Sequence, residues 1–281
     1  FAQQAQTSSS SSSSLAAGAQ ADWDALVVAI RGAGGVVVDV DNPDPLLTGL
    51  PYTAEAGVLG HDAQGPVFLL PHLTPPHRQR EPEVIAAFFA ARGVRTRQVQ
   101  ARHEGQGDVV DVGARGRPRL VCTHGIGAYA RSEAAAFAEV APLLPGPALP
   151  VAFHADPWFH GNTFLGAFRA VDADVPRVAL VVCADAFVDA HDVDGVVAFA
   201  RADGAVDVDV VTISRDESLR YPTNALQVGQ TVLSPRGVPD VVVACWQRLG
   251  LTVQLLDLPV LFGKGGGAAV CLTNRLWIPL P

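Results

Sequence analysis

The sequence predicts an α/β protein built from repeated mixed units, and three observations carry that prediction. Paired strand-like runs separated by short polar turns recur along the chain. Helix-like runs end in glycine and pass straight into another strand-like run. The order strand, strand, helix, strand returns every ~50 residues. This order excludes all-α and all-β folds, and a doubly wound sheet would alternate single strands and helices without the hairpins.

The elements follow in order. Residues 1–21, with a serine tract from Ser8 to Ser14, read as a disordered lead-in, and residues 22–281 as one domain. DWDALVVAIRGAGG (22–35) reads as a helix, with Asp22 as its N-cap and Trp23, Leu26, Val27 and Ile30 on one face. VVVDV (36–40) reads as a strand. AGVLG (56–60) and PVFLLP (66–71) read as a strand pair. REPEVIAAFFAARG (80–93) is a helix closed by Gly93, and VRTRQVQ (94–100) is the strand after it. GDVVDVG and RPRLVCTHG form a second pair, followed by a helix over 131–144 with Ser132 as its cap. RVALVVCADAF, VDGVVAFARADG and VDVVTI continue as strand, helix and strand. ALQVGQTVLSP, VPDVVVACWQRLG and LTVQLLDL repeat the theme.

Composition narrows the function. With 281 residues, 49% of them hydrophobic, the chain can bury a large core. A net charge of -8 argues against non-specific nucleic-acid binding and suits a small cationic substrate. No apolar run is long enough to span a bilayer, and the polar opening residues do not resemble a signal peptide. Cys122, Cys183 and Cys245 lie in apolar runs and read as buried free thiols. Without a CxxC pair a zinc ribbon is not expected, and the scattered thiols point to a reducing, cytoplasmic setting. The chain begins at Phe1 and holds no methionine, so the native start is expected upstream. The oligomeric state is left open, a homo-oligomer included.

Three stretches could carry chemistry. RHEGQGDVVDVG (102–113) holds Glu104 and Asp108 among small residues at the mouth of a strand; alone, they read equally as solvated acids in a turn. HADPWFHGNTFLGAF (154–168) holds two histidines without a third ligand at suitable spacing, so no metal is expected, and His160 alone could be a packed histidine. GKGGGAAVCLTNRL (263–276) sets glycines before Cys271. It has the wrong order for a phosphate loop and leads into a strand; a buried cysteine is its plain alternative. Together, a cysteine, a histidine and a glutamate on separate strand ends supply a nucleophile, a proton-transfer group and an orienter.

HEGQGD, DPWFHGNTF, TNALQVGQTVLSP and GGGAAVCLTNRL resemble, in the same order, motifs of the amidinotransferase or guanidine-modifying (pentein) superfamily, which includes arginine deiminases, arginine dihydrolases and dimethylarginine dimethylaminohydrolases. YTAEAGVLG and PPHRQREPEVIAAFFAARG resemble its earlier landmarks. The resemblance implies a five-bladed α/β propeller of ββαβ units with the site in its central channel. It implies that Cys271 attacks a guanidinium carbon, that His160 moves protons, and that Glu104 pairs with the substrate. Arg78 and Arg131 resemble the clamp on a substrate α-carboxylate, and Asp108, Glu55 and Asn162 complete the expected substrate-binding set. The chain departs from the pattern in four ways. Asn162 stands where an aspartate is frequent, and Glu55 where Asn or Asp is. Asp44 is the nearest candidate for an acid missing before YTAE. The first strand of the pattern is absent, with the serine tract near its place.

The resulting expectation is a cofactor-free hydrolase of a guanidino amino acid, such as arginine or a methylated arginine, giving citrulline plus ammonia or an amine. Transfer of the amidino group to an acceptor amine and a non-catalytic binding propeller are the alternatives.

Overall fold

A computed structural model describes residues 2–172, 175–202, 206–265 and 267–276; of the side chains of residues 2–13 and 264–265 nothing is said. The chain opens with α1 (Ala2–Gly32). Four repeats of one design follow. The first is β1 (Val58–Asp62), β2 (Gly65–Leu70), α2 (Glu81–Ala90) and β3 (Arg95–Gln98). The second is β4 (Val109–Asp111), β5 (Leu120–Ile126), α3 (Ala136–Val140) and β6 (Ala148–His154). The third is β7 (Leu165–Arg169), β8 (Arg177–Val182), α4 (Asp192–Arg201) and β9 (Asp207–Thr212). After the short α5 (Arg215–Ser218) comes the fourth: β10 (Leu226–Val228), β11 (Thr231–Pro235), α6 (Asp240–Arg248) and β12 (Thr252–Leu256). A last turn of helix, α7 (Leu261–Gly265), precedes the cysteine.

Each repeat is a three-stranded sheet in chain order. Its first two strands are an antiparallel hairpin, and the third runs parallel to the second after a helical crossover. Parallel neighbours need such a crossover, which explains the position of every helix between the second and third strands. Gly93 and Gly250 end α2 and α6 in the left-handed conformation (φ +68 and +77), as a glycine stop should. The helices are held by what they bury. In α2, Ile85 and Phe89 meet Leu59 and Phe68, and the Phe68 and Phe89 rings stack at 4.0 Å. Burying one such phenylalanine is worth about 1.5–3 kcal/mol. The largest cluster joins the second, third and fourth repeats through Phe153, Phe164, Phe168 and Trp246.

The four repeats are the ββαβ blades expected of the pentein fold. A fifth three-stranded sheet is not formed among the described residues. Residues 36–40, expected as a strand, run unpaired with Val36 92% exposed; a β-branched run needs a partner edge to become a strand, and here only Val37 and Val40 pack inward. The lead-in expected to be disordered is instead continuous with α1. Serine lowers helix stability by only a few tenths of a kcal/mol per residue, and the same helix is anchored by Leu26, Ala29 and Ile30 further on. Asp22 is consequently not an N-cap of its own helix. It sits inside α1 and accepts hydrogen bonds from the backbone N–H of Val260 and Leu261 at 2.8 and 3.0 Å, tying α1 to the start of α7. No helix among the described residues is long and apolar enough to cross a membrane.

Candidate active site

One feature recurs just before the first strand of every blade: a single turn of 3-10 helix. These turns are Thr53–Ala56, Gly105–Gly107, Gly161–Thr163 and Pro222–Asn224. Hydrogen bonds link each to the next: Gln106 N–H to Gly57 O at 3.3 Å, Gly161 N–H to Asp108 Oδ1 at 2.9 Å, and Thr223 Oγ1 to Asn162 O at 3.1 Å. The segment carrying Cys271 closes the circle. Val270 N–H donates to Asn224 O at 3.0 Å, and Ala54 N–H donates to Cys271 O at 3.2 Å. Residues far apart in sequence are thereby gathered around one centre: Glu55, Glu104, His160, Asn162, Asn224 and Cys271, all buried.

His160 is held between two carboxylates. Its Nε2 is 2.7 Å from Glu104 Oε2, and its Nδ1 lies 3.4 Å from Glu55 Oε1 without making a hydrogen bond. Burial by itself would raise the Glu104 carboxyl. The hydrogen bond and charge of His160, the Arg131 guanidinium and the Thr74 N–H outweigh it and hold Glu104 below the usual carboxylate range. Glu55, Glu104 and His160 each bring a ligand atom within 4.8 Å of the others, a grouping that could hold a cation. In the structure the cations facing these acids are Arg78 and Arg131.

Cys271 is 2% exposed. Burial pushes its thiol up to about 11, only partly offset by hydrogen bonds from Asn224 and Ala268, by Asn162 and by the charge of Arg78. Asn224 Nδ2 donates to Sγ at 3.2 Å, and Sγ donates toward Asn162 Oδ1 at 3.8 Å. One glycine before the cysteine has a local explanation: a Cβ on Gly267 would lie 2.7 Å from the Cys271 sulfur. Only glycine lets the backbone pass so close to the thiol. A cavity of about 290 Å³ opens beside it, lined in part by Tyr52, Glu55, Arg78, Arg131, Phe159 and Cys271. Burial raises the Tyr52 phenol, as does a charge on Cys271, while Arg78 opposes them.

The other expected site residues divide. Arg131 lines the cavity, 3.3 Å from Glu104 and 5.5 Å above the Phe159 ring. Arg78 also lines it but is mostly committed. Glu81 takes its Nε–H, Glu81 and Gly49 O take both hydrogens of Nη2, and Glu55 takes one of Nη1. One N–H remains, so the fork expected to grip a carboxylate is spent on Glu81. Asp108 does not line the cavity. Its carboxylate accepts from Thr123 Oγ1 at 2.7 Å, Gly161 N–H at 2.9 Å and Ser132 Oγ, and so fixes the loop bearing His160. Ser132 is thus no helix cap: α3 starts four residues later, and Ser132 Oγ also accepts from Glu104 N–H at 3.0 Å. Asp44 pairs with Arg80 at 3.2 Å, away from the cavity lining. Cys122, Cys183 and Cys245 are buried and free, as expected.

Sequence reasoning did not single out Asn224 or Glu81. Asn224 carried a signal, because it occupies the place just before a blade's first strand where Glu55 and Asn162 also stand.

Fold and site together define the class: this is a chain of pentein fold with a buried cysteine, histidine and glutamate at its centre. No family profile matches the chain. It is 25% identical over 258 residues to the N(G),N(G)-dimethylarginine dimethylaminohydrolase of Mycobacterium tuberculosis, an alignment covering 92% of this chain and 76% of that protein. In structure it is similar to the N-terminal domain of ArgZ, an arginine dihydrolase from Cyanobacteria, with a TM-score of 0.71 at 20% identity, covering 89% and 83% of the two chains. A dimethylarginine dimethylaminohydrolase crystallised as a 4-chloro-2-hydroxymethylpyridine adduct matches with a TM-score of 0.61 at 17% identity over 92% and 91%.

Proposed function

We propose that the protein hydrolyses a guanidino amino acid, arginine or a methylated arginine, through a covalent intermediate on Cys271. The observation that carries this reading is the thiol's position on the wall of a cavity that Glu55 also lines, with the buried His160–Glu104 pair 3.4 Å from Glu55. A guanidinium is a planar cation rich in donors, and Glu55 and Glu104 offer the acceptors and counter-charge that burying it requires.

The thiol is protonated in the free protein at neutral pH, because burial disfavours the thiolate. A cationic substrate beside it reverses that balance. The thiol loses its proton toward the His160–Glu104 pair, and the sulfur adds to the guanidinium carbon. The C–N bond to the leaving nitrogen then breaks as that nitrogen takes a proton from His160, releasing ammonia or an amine. The resulting amidino-thioether is attacked by water, which gives up a proton to His160. The C–S bond breaks, leaving a ureido product and the restored thiol. Arg131, at the cavity wall, is the better placed of the two arginines to hold a substrate carboxylate. The free thiols support a reducing, cytoplasmic setting for this chemistry.

Intact-mass analysis of the protein mixed with arginine or dimethylarginine tests the reading, together with assay for citrulline, ammonia and methylamines. An adduct confined to Cys271 and a ureido product are expected. Binding without adduct or product would return the chain to the binding-propeller alternative.

A further inference from the structure

Asn224 is fully buried, and every hydrogen-bonding position on its amide is used. Its Oδ1 accepts the backbone N–H of Ala268 at 2.9 Å and of Cys271 at 3.0 Å. Two backbone donors on one oxygen fix the orientation of the amide, so its Nδ2 must face the other way. There it donates to Asn162 O at 3.3 Å and to the Cys271 sulfur at 3.2 Å. Its own carbonyl accepts Val270 N–H at 3.0 Å. One side chain therefore holds the backbone on which the thiol sits and presents a donor to the sulfur.

The local backbone adds a second observation. Among the described residues Tyr221 is the non-glycine residue with positive φ (+58°), and its carbonyl accepts Asn224 N–H at 3.1 Å to close the turn. A left-handed tyrosine before a proline is a costly conformation, maintained where the surroundings dictate it. Here the turn it opens delivers Asn224 to the cysteine.

We propose that Asn224 is a positioning residue for the reaction: it fixes the Cys271 loop and supplies the hydrogen bond that the sulfur needs as it becomes an anion. The inference rests on the reading of Cys271 as the nucleophile. The work falls on an amide because other groups near the sulfur are unsuited to it. Asn162 presents an acceptor oxygen to the sulfur, and Arg78, which exerts a favourable charge, is tied to Glu55 and Glu81. A neutral donor can support a thiolate without being drawn into an ion pair by the neighbouring acids.

Asn224→Asp is the sharpest test. It keeps the oxygen that binds the two backbone N–H groups and replaces by an acceptor the Nδ2 that donates to the sulfur and to Asn162 O. The readout is the pH profile of iodoacetamide alkylation at Cys271, followed by peptide mass spectrometry on the whole chain, with Cys271→Ser as the blank. Alkylation at about pH 8 should slow by tenfold or more, with the profile displaced to higher pH. Asn224→Ala should displace it in the same direction. A folded variant with the wild-type profile overturns the proposal. A reading that needs no variant of Asn224 is its side-chain amide resonance in the wild-type protein. That resonance should shift as Cys271 titrates and stay still in Cys271→Ser; absence of the shift in the wild type overturns the proposal as well. None of these measurements requires turnover. Failure of arginine analogues to form an adduct would sink the proposed hydrolysis while leaving the role of Asn224 to be decided by the thiol itself.

Discussion

Glu104 Oε2 lies 2.7 Å from His160 Nε2, and both side chains are fully buried. The pair is fed from three further elements: Thr74 N–H donates to Glu104 Oε1 at 3.0 Å, Arg131 approaches Oε2, and Asp108 fixes the loop that begins one residue after the histidine. Such a pair can accept and return a proton without exposing either group to water. Glu104→Gln keeps the shape and removes the charge. Its kcat/KM should fall by about 10²–10⁴, the range for losing an acid–base partner. Steady-state kinetics on a variant with an unchanged unfolding curve is the check, and a loss below tenfold would remove Glu104 from the proton path.

The two arginines should separate cleanly. Arg78 is 5% exposed and shares its one charge between Glu55 and Glu81, so Arg78→Ala strands two buried carboxylates. Removing one partner of a buried pair costs about 3–5 kcal/mol, and denaturant unfolding should report a loss of that order. Arg131 is less buried, and without it Glu104 keeps His160 and the Thr74 N–H as partners, so its loss should cost less stability. Arg131→Ala should raise KM for arginine about ten- to hundred-fold while leaving agmatine, which lacks the carboxylate, nearly untouched. Equal losses for both ligands would show that Arg131 does not read the carboxylate.

Gly267 and Gly263 offer a matched pair within the glycine-rich run. A Cβ on Gly267 meets the Cys271 sulfur at 2.7 Å, whereas one on Gly263 meets nothing within 4 Å. Gly267→Ala should reduce alkylation of Cys271 and turnover at least tenfold, because overpacking of about 1–3 kcal/mol falls directly on the nucleophile. Gly263→Ala should leave both rates unchanged. Parallel behaviour of the two variants would mean that the run serves the loop rather than the thiol.

The chemistry was more legible in the sequence than the non-local packing. Cys271, His160 and Glu104 each read alone as ordinary residues, and what singled them out was their combination and the motifs, in order, that resemble the guanidine-modifying superfamily. The hairpins of the first two repeats were legible from their turns, unlike β7, which opens the third. β6 was not, because Pro150 breaks its pattern; the structure tolerates that proline because β6 is the edge strand of its sheet. Ser132 looked like a helix cap because capping and site hydrogen bonds use the same residue type, and only the fold brings Asp108 and Glu104 to it. Glu81 looked like an ordinary helix-opening acid for the same reason. Its partner Arg78 was readable as a site arginine, but the number of its donors already taken depends on Gly49 and Glu55, residues well upstream.

Stability should fall at alkaline pH, with Cys271 contributing. An unfolded thiol ionises near the ordinary value of 9.0, whereas burial holds the folded one protonated up to about 11. A group whose folded pKa is raised stabilises fully below the unfolded value, and that contribution is lost as pH rises toward the folded value. Urea midpoints should therefore drop between about pH 9 and 11, by about 1–3 kcal/mol at this site. Cys122, raised to about 12 by burial and then by Asp108, adds a loss over the same rise. Cys271→Ser should flatten the decline; an unchanged slope would show that the thiol is not held in its protonated form.

Glu55 and Asn162 pose the last question, because one carboxylate has moved relative to the pattern the sequence resembles. Asn162 Oδ1 is directed at the Cys271 thiol, and its Nδ2 is buried without a hydrogen-bond partner. Glu55 lies across the cavity, with one oxygen on Arg78 and the other facing His160 Nδ1. The Arg78 charge is shared with Glu81, so Glu55 keeps part of its negative field for a bound guanidinium. Glu55→Gln should accordingly raise KM for arginine by tenfold or more, and Asn162→Asp in that background should restore part of the loss by returning a carboxylate beside the sulfur. In the wild-type background Asn162→Asp should instead slow the reaction, since a second anion near Cys271 further opposes thiolate formation. The check is a double-mutant cycle on kcat/KM, in which two effects of opposite sign must couple by more than about 0.5 kcal/mol. Simple additivity, or a silent Glu55→Gln, would mean that Glu55 serves Arg78 alone and that Glu104 is left as the guanidinium's counter-charge.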